Sequence, residues 1–173
     1  SFTCANVGSN NTVMLTVTDV NGNVSTDTAT VTVEDNVHPV AVAQNVTVQL
    51  DASGNGSTTA VLVNNGSSDA CGVATMTINN ASFTCANVGS NNTVMLTVTD
   101  VNGNVSTDTA TVTVEDNVHP VAVAQNVTVQ LDALGNGSTT AALVNNGSSD
   151  ACGVATMTID SMSFTCANIG ANT

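Results

Sequence analysis

The chain has 173 residues, 42% hydrophobic, 8% charged and 2% aromatic, with no Lys or Arg against 13 acidic residues, a formal charge of −13. Contacts to nucleic-acid phosphates and attraction to an anionic membrane both need cations, so neither partner fits. Without Lys, Arg, Tyr or Trp, acid–base catalysis falls to carboxylates in loops with no second domain to form a cleft, and no enzyme is expected.

The opening Ser1-Phe2-Thr3-Cys4-Ala5-Asn6 returns at Ser82–Asn87 and again at Ser163–Asn168, 81 residues apart each time. Residues 1–81 and 82–162 differ only at Ser53/Leu134, Val61/Ala142, Asn79/Asp160, Asn80/Ser161 and Ala81/Met162. A unit of this length is too long for a solenoid turn and suits one small domain. The phase of the repeat places junctions at Val33–Pro39 and Val114–Pro120. It predicts the end of one module (1–35), one complete module (36–116) and most of a third (117–173). The chain begins without Met and holds no apolar run long enough to span a membrane, so direct membrane insertion is not expected. It reads as a window on a longer polymer, with secretion signals and anchors outside it.

Through the middle repeat the pattern is β. Seven short strands are expected near Val40–Ala43, Val46–Leu50, Thr58–Val63, Val73–Ile78, Ser82–Cys85, Thr93–Thr99 and Ser106–Val114, where β-branched apolar residues alternate with Thr and Gln. Turn signals separate them: Ser53-Gly54-Asn55-Gly56, Asn64-Asn65-Gly66, Asp69-Ala70-Cys71-Gly72 and Asn102-Gly103-Asn104. No window shows a helical period. The core must be Val, Leu, Ile and Ala, with Phe83 as the one large anchor per repeat. Tandem antiparallel β-sandwich modules of immunoglobulin-like type are the predicted fold.

Cys4, Cys71, Cys85, Cys152 and Cys166 set the compartment. Cys71 and Cys85 lie 14 residues apart, as do Cys152 and Cys166, and this spacing predicts two disulfides within modules, Cys71–Cys85 and Cys152–Cys166. Each closes a loop worth roughly 3 kcal/mol in the chain-entropy account. Cys4 then pairs upstream of residue 1. Close Cys pairs with His, the mark of a metal site, are absent. Structural cystines imply an oxidising, extracellular or cell-surface setting.

Three stretches carry a family resemblance: Asp69-Ala70-Cys71-Gly72, the run Thr97-Val98-Thr99-Asp100-Val101-Asn102-Gly103-Asn104, and Val-Thr-Val-Glu-Asp leading into His38-Pro39. In this order they resemble the hyalin-repeat (HYR) domains of secreted bacterial surface proteins, and the resemblance covers the whole repeat. It implies an immunoglobulin-like fold, an extracellular location, and a role in adhesion or as a spacer. Members often carry a second cystine tying the first strand to the last. Those positions are Ala43 and Asp27, repeated at Ala124 and Asp108, so that bridge is missing here.

Acidic residues form the candidate site. If loops meet at the module junction, Asp69 and Asp100 approach Glu34 and Asp35, and the set recurs as Glu115, Asp116 and Asp150. With Asn36 and backbone carbonyls they offer the six to eight oxygens that Ca²⁺ takes, which would stiffen a hinge. The plainer reading is that Asp69 and Asp100 cap turns. Asp100–Asn104 lacks the distal Glu of an EF-hand and reads as a hairpin turn. His38 and His119 read as linker residues. Asn10, Asn23, Asn45, Asn55, Asn65 and Asn80 stand in Asn-X-Ser/Thr triplets, a weak signal in so Asn-rich a chain. Thr28 and Thr109, each after an Asp, resemble O-glycosylation sites of secreted bacterial proteins.

The expected function is structural: the shaft of a surface filament or adhesin, with neighbouring copies of the same protein as partners in a fibre. The alternative is a repeated module that binds glycans or protein through avidity. Scarce aromatic residues, on which sugar faces stack, argue against it.

Overall fold

The structure, a computed structural model, describes residues 1–170. It is an all-β protein of mostly antiparallel strands with a few single helical turns. Strands β1 (Asn11–Thr18) and β2 (Val24–Val31) form a hairpin in continuous register from Asn11↔Val31 to Thr18↔Val24. Its turn is fixed by Asp19, whose Oδ1 accepts the N–H groups of Asn21 and Asn23 at 2.9 and 2.8 Å.

Further on, β3 (Val46–Gln49), β4 (Asn55–Ser57), β5 (Val73–Ile78), β6 (Ser82–Thr84), β7 (Asn92–Asp100) and β8 (Val105–Glu115) follow in order. The main sheet runs β3-β8-β7-β5, while β4 pairs with β6. Ala43 N–H meets Asp108, Thr111 N–H meets Asn45, and Leu50 N–H meets the Glu115 carbonyl. Both members of these pairs advance together along the chain, so β3 lies parallel to β8. The C-terminal stretch contributes β9 (Asn136–Ser138) and β10 (Ser163–Thr165), paired with each other.

Two sequence expectations change. Residues 58–63 are not one strand. The Thr59 hydroxyl accepts the Leu62 N–H and caps a single helical turn, α1 (Ala60–Val63), repeated as α2 (Ala141–Val144) behind Thr140. An apolar run this short fits either period, and the cap decides it. Val40 and Ala43 make only isolated bridges, to Ser68 and Asn64, rather than a strand.

By contacts the chain forms two units. The first comprises Ser1–Val46, Thr58–Ala81 and Asn92–Val112, and the second Thr47–Ser57, Ser82–Asn91 and Thr113–Thr173. Each therefore takes a share of the stretch 36–116. The core of the first is Val63, Val94, Leu96, Val98, Ala110 and Val112, every second residue of β7 and β8 facing inward. The second buries Val48, Leu50, Phe83 and Val114, with Phe83 standing opposite Gly56. A Cβ on Gly56 would come within 2.5 Å of a Val48 methyl, so only glycine lets β4 lie this close to β3.

Identical sequence meets different fates along the chain. Residues 11–31 and 92–112 are the same, yet Val94, Leu96 and Val98 are 1%, 0% and 0% exposed, whereas Val13, Leu15 and Val17 are 40%, 63% and 58% exposed. β7 is flanked by β5 and β8, while β1 pairs with β2 alone. Residues 154–159 match β5 in sequence but, among the described residues, belong to no strand.

Candidate functional site: cystines and an acidic junction

Both cystines differ from the expected pairing. Cys4 bonds Cys71 and Cys85 bonds Cys152, each across 67 residues, and Cys166 is a free, exposed thiol. Cys71–Cys85 and Cys152–Cys166 do not form, and Cys4 has its partner downstream. Strand β5, about 20 Å long, starts two residues after Cys71, and Cys85 lies beyond it in the other unit, while a disulfide needs Cα atoms within about 7 Å. Cys85 instead follows β6, which pairs with β4. Its sulfur lies against the tight turn at Gly54 (φ +75°), where a Cβ would come within 2.6 Å of it and 3.8 Å of the Cys152 sulfur.

Around the first cystine the structure assembles a polar knot. Asp69 Oδ1 accepts the N–H groups of Cys71 at 2.7 Å and Gly72 at 3.1 Å. Asp100, 1% exposed, accepts the N–H groups of Asn102 and Asn104 through Oδ1 and the Asn104 amide through Oδ2 at 2.8 Å. That amide also donates to the carbonyls of Asp35 and Val37, at 3.0 and 3.2 Å. The His38 Nδ1 sits 2.8 Å from the Val105 carbonyl, so this nitrogen carries the proton. Residues 35–38 are thus pinned to the β7–β8 turn from both sides. Sequence reasoning missed Asn104, although its place at the end of an Asp-Val-Asn-Gly-Asn turn was a signal.

Burial by itself pushes the Asp100 carboxyl upward, but the Asn104 side chain and the backbone N–H groups of Asn104, Asn102 and Gly103 outweigh it and hold the group below its ordinary value. Asp108, accepting the N–H groups of Ala43 and Thr109, is lowered too. The Ala43–Asp108 hydrogen bond, 2.8 Å, occupies the place where the resemblance puts a second cystine.

Of the acidic residues expected together, the structure brings together two at a time. Carboxylate oxygens of Asp35 and Asp69 lie within 4.8 Å of one another and of the Cys71 sulfur, and Asp116, Asp150 and Cys152 repeat the group. Both sulfurs are in cystines and offer no thiolate. Glu34, Asp100 and Glu115 belong to neither group. Asp35 already accepts the Val37 N–H, Glu34 contacts the Asn36 amide, and Glu115 the Gln49 amide. Asp69 and Asp100 each cap a turn directly, and the two carboxylates of each group are part of the six to eight oxygens that Ca²⁺ takes. Thr28 and Thr109 are exposed on β2 and β8.

Two disulfides are the mark of an oxidising, non-cytoplasmic compartment. Among the described residues no helix is long and apolar enough to cross a membrane. No family model matches the chain, and no curated protein matches it either.

Proposed function

We propose that the chain is a run of immunoglobulin-like, HYR-type modules forming the shaft of an extracellular filament or adhesin, and that it carries load rather than catalysing a reaction. The observation that supports this most is the path of the cystines. Cys4 belongs to the stretch 1–35 and Cys71 to 36–116; Cys85 belongs to 36–116 and Cys152 to 117–173. Each bridge spans a repeat boundary in the sequence yet lies within one compact unit, Cys4–Cys71 in the first and Cys85–Cys152 in the second, so each unit of the shaft is locked by its own cystine.

The pinned linker supports the same reading. Asn104 and the Val105 carbonyl fasten residues 35–38, so this linker is held against the β7–β8 turn and resists bending. Electron microscopy of the secreted protein tests the proposal. Straight rods with uniform bead spacing are expected, bending at the beads once a reductant opens the cystines. Compact particles without axial repeat, or rods indifferent to reductant, would overturn it.

A further inference from the structure

Neither cystine is sheltered by packing. Cys4 is exposed, and Cys71, Cys85 and Cys152 are half-buried. An accessible cystine is ordinarily the labile one, because exchange begins when a thiolate reaches one of its sulfurs. Each bridge here has fixed charge beside it. In the first unit, carboxylate oxygens of Asp35 and Asp69 lie within 4.8 Å of each other and of the Cys71 sulfur. In the second, Asp116 and Asp150 stand in the same way about Cys152. Turn hydrogen bonds keep them there. Asp69 accepts the N–H groups of Cys71 and Gly72, and Asp35 that of Val37. Asp150 and Asp116 do likewise for Cys152 and Val118. The chain has no Lys or Arg to neutralise either pair.

We propose that the paired carboxylates guard the cystines against anionic reductants, so that each bridge resists thiolates and opens to an uncharged or zwitterionic reductant. In thiol exchange one thiolate attacks a sulfur, forms a mixed disulfide and expels the other cysteine as a thiolate. A second thiolate then releases the remaining cysteine and leaves as the small disulfide, so two thiolates are oxidised and the cystine is reduced. Both directions of attack meet the same charge. Attack at the Cys71 sulfur brings the incoming anion against Asp35 and Asp69. Attack at the Cys4 sulfur expels Cys71 as an anion in that same place, where its neighbours make it a poor leaving group. At about 5 Å in a water-like dielectric each carboxylate slows such a step roughly threefold, and the pair about tenfold. An uncharged phosphine escapes the penalty. It attacks sulfur with its lone pair, and the phosphonium it becomes balances the departing thiolate. Water then converts it to the phosphine oxide and leaves two thiols.

The inference rests on the observed cystines and not on the shaft reading. Initial rates of reduction of the full chain test it, in a Cys166→Ser background so that this thiol takes no part in exchange. Alkylation and peptic mapping follow Cys4–Cys71 and Cys85–Cys152 separately. Each rate is divided by that of the same thiol on hydroxyethyl disulfide, which cancels intrinsic nucleophilicity. On this scale cysteamine, whose ammonium offsets its thiolate, is expected to be fastest, mercaptoethanol slower, and the doubly negative mercaptopropionate slowest. Added salt narrows the spread. The double variant Asp35→Asn, Asp69→Asn keeps the capping oxygens and loses the charge. It is expected to speed mercaptopropionate about tenfold at Cys4–Cys71 and to leave Cys85–Cys152 unchanged. With tris(hydroxypropyl)phosphine its rates match those of the parent at both bridges. Relative rates that ignore the charge of the thiol, or a variant that speeds the phosphine as much as the thiolate, as loosened packing would, overturn the proposal. Either result leaves the shaft reading standing.

Discussion

Stretching the chain by its ends, before and after reduction, reads the cystine path directly. An extended residue spans at most about 3.5 Å. Each bridge removes 67 residues from the stretch, so with both closed about 40 residues remain extensible, roughly 150 Å at full extension. Reduction restores the whole chain, roughly 600 Å, in two increments of about 230 Å each. Bridges across 14 residues, from Cys71 to Cys85 and from Cys152 to Cys166, would release only about 50 Å apiece. Single-molecule force spectroscopy with a reductant added at constant load resolves steps of either size. Two long steps are expected. Short steps, or an oxidised chain that already extends beyond about 300 Å, would refute the pairing and the cystine-locked shaft with it.

Three further outcomes follow from the packing and the carboxylates. Leu96→Ala should cost about 3–5 kcal/mol in a denaturant melt, since Leu96 is fully buried, while Leu15→Ala should cost about 0.5 kcal/mol or less despite its identical surroundings in sequence. Thr58 buries a hydroxyl that has no hydrogen-bond partner, so Thr58→Val should raise stability by about 1 kcal/mol, measured by chemical denaturation. Asp100 and Asp108 both titrate below their ordinary value of 3.8 when folded. Their stabilisation is therefore complete above the unfolded value and lost as pH falls through the folded ones, so the melting temperature should drop below about pH 4. Asp100→Asn and Asp108→Asn should each flatten that drop in thermal melts.

Much of the β pattern was legible because alternation is a local property. Residues 73–78 are a strand as expected, and β7 and β8 extend their expected ranges by only one or two residues. Phe83 is buried as the single large anchor. What alternation does not show is whether a strand has neighbours. Val13 and Val94 sit in the same sequence, and only the flanking β5 separates a buried position from an open one. The cystines failed for a related reason. In a chain of period 81 with cysteines 14 apart, each cysteine has a second candidate 67 residues away on its other side. Both choices repeat with the same regularity, and chain entropy separates them by only about 1 kcal/mol, roughly 3 against roughly 4. The deciding signal was the strand between Cys71 and Cys85, whose length pulls them apart.

That alternative pairing would also make a different machine. A bridge from Cys71 to Cys85 would leave the hairpins and linkers in the line of tension. The observed bridges do the reverse. The hairpin β1–β2 and residues 35–38 lie inside the loop closed by Cys4 and Cys71, and β7–β8 inside the loop closed by Cys85 and Cys152. Tension along the proposed shaft enters at a cystine, passes through Cys71 to Cys85 by way of β5 and β6, and leaves at the next cystine. The parts that bend most readily, turns and junctions, are thereby shielded from load. The peptide that does carry it includes a six-residue strand bonded along its length to β7, so its ladder bonds share the load together rather than opening one by one. A chain poor in aromatics and without a single Lys or Arg cannot draw its strength from a large core or from salt bridges; the placement of its sulfur bridges supplies what the composition leaves out.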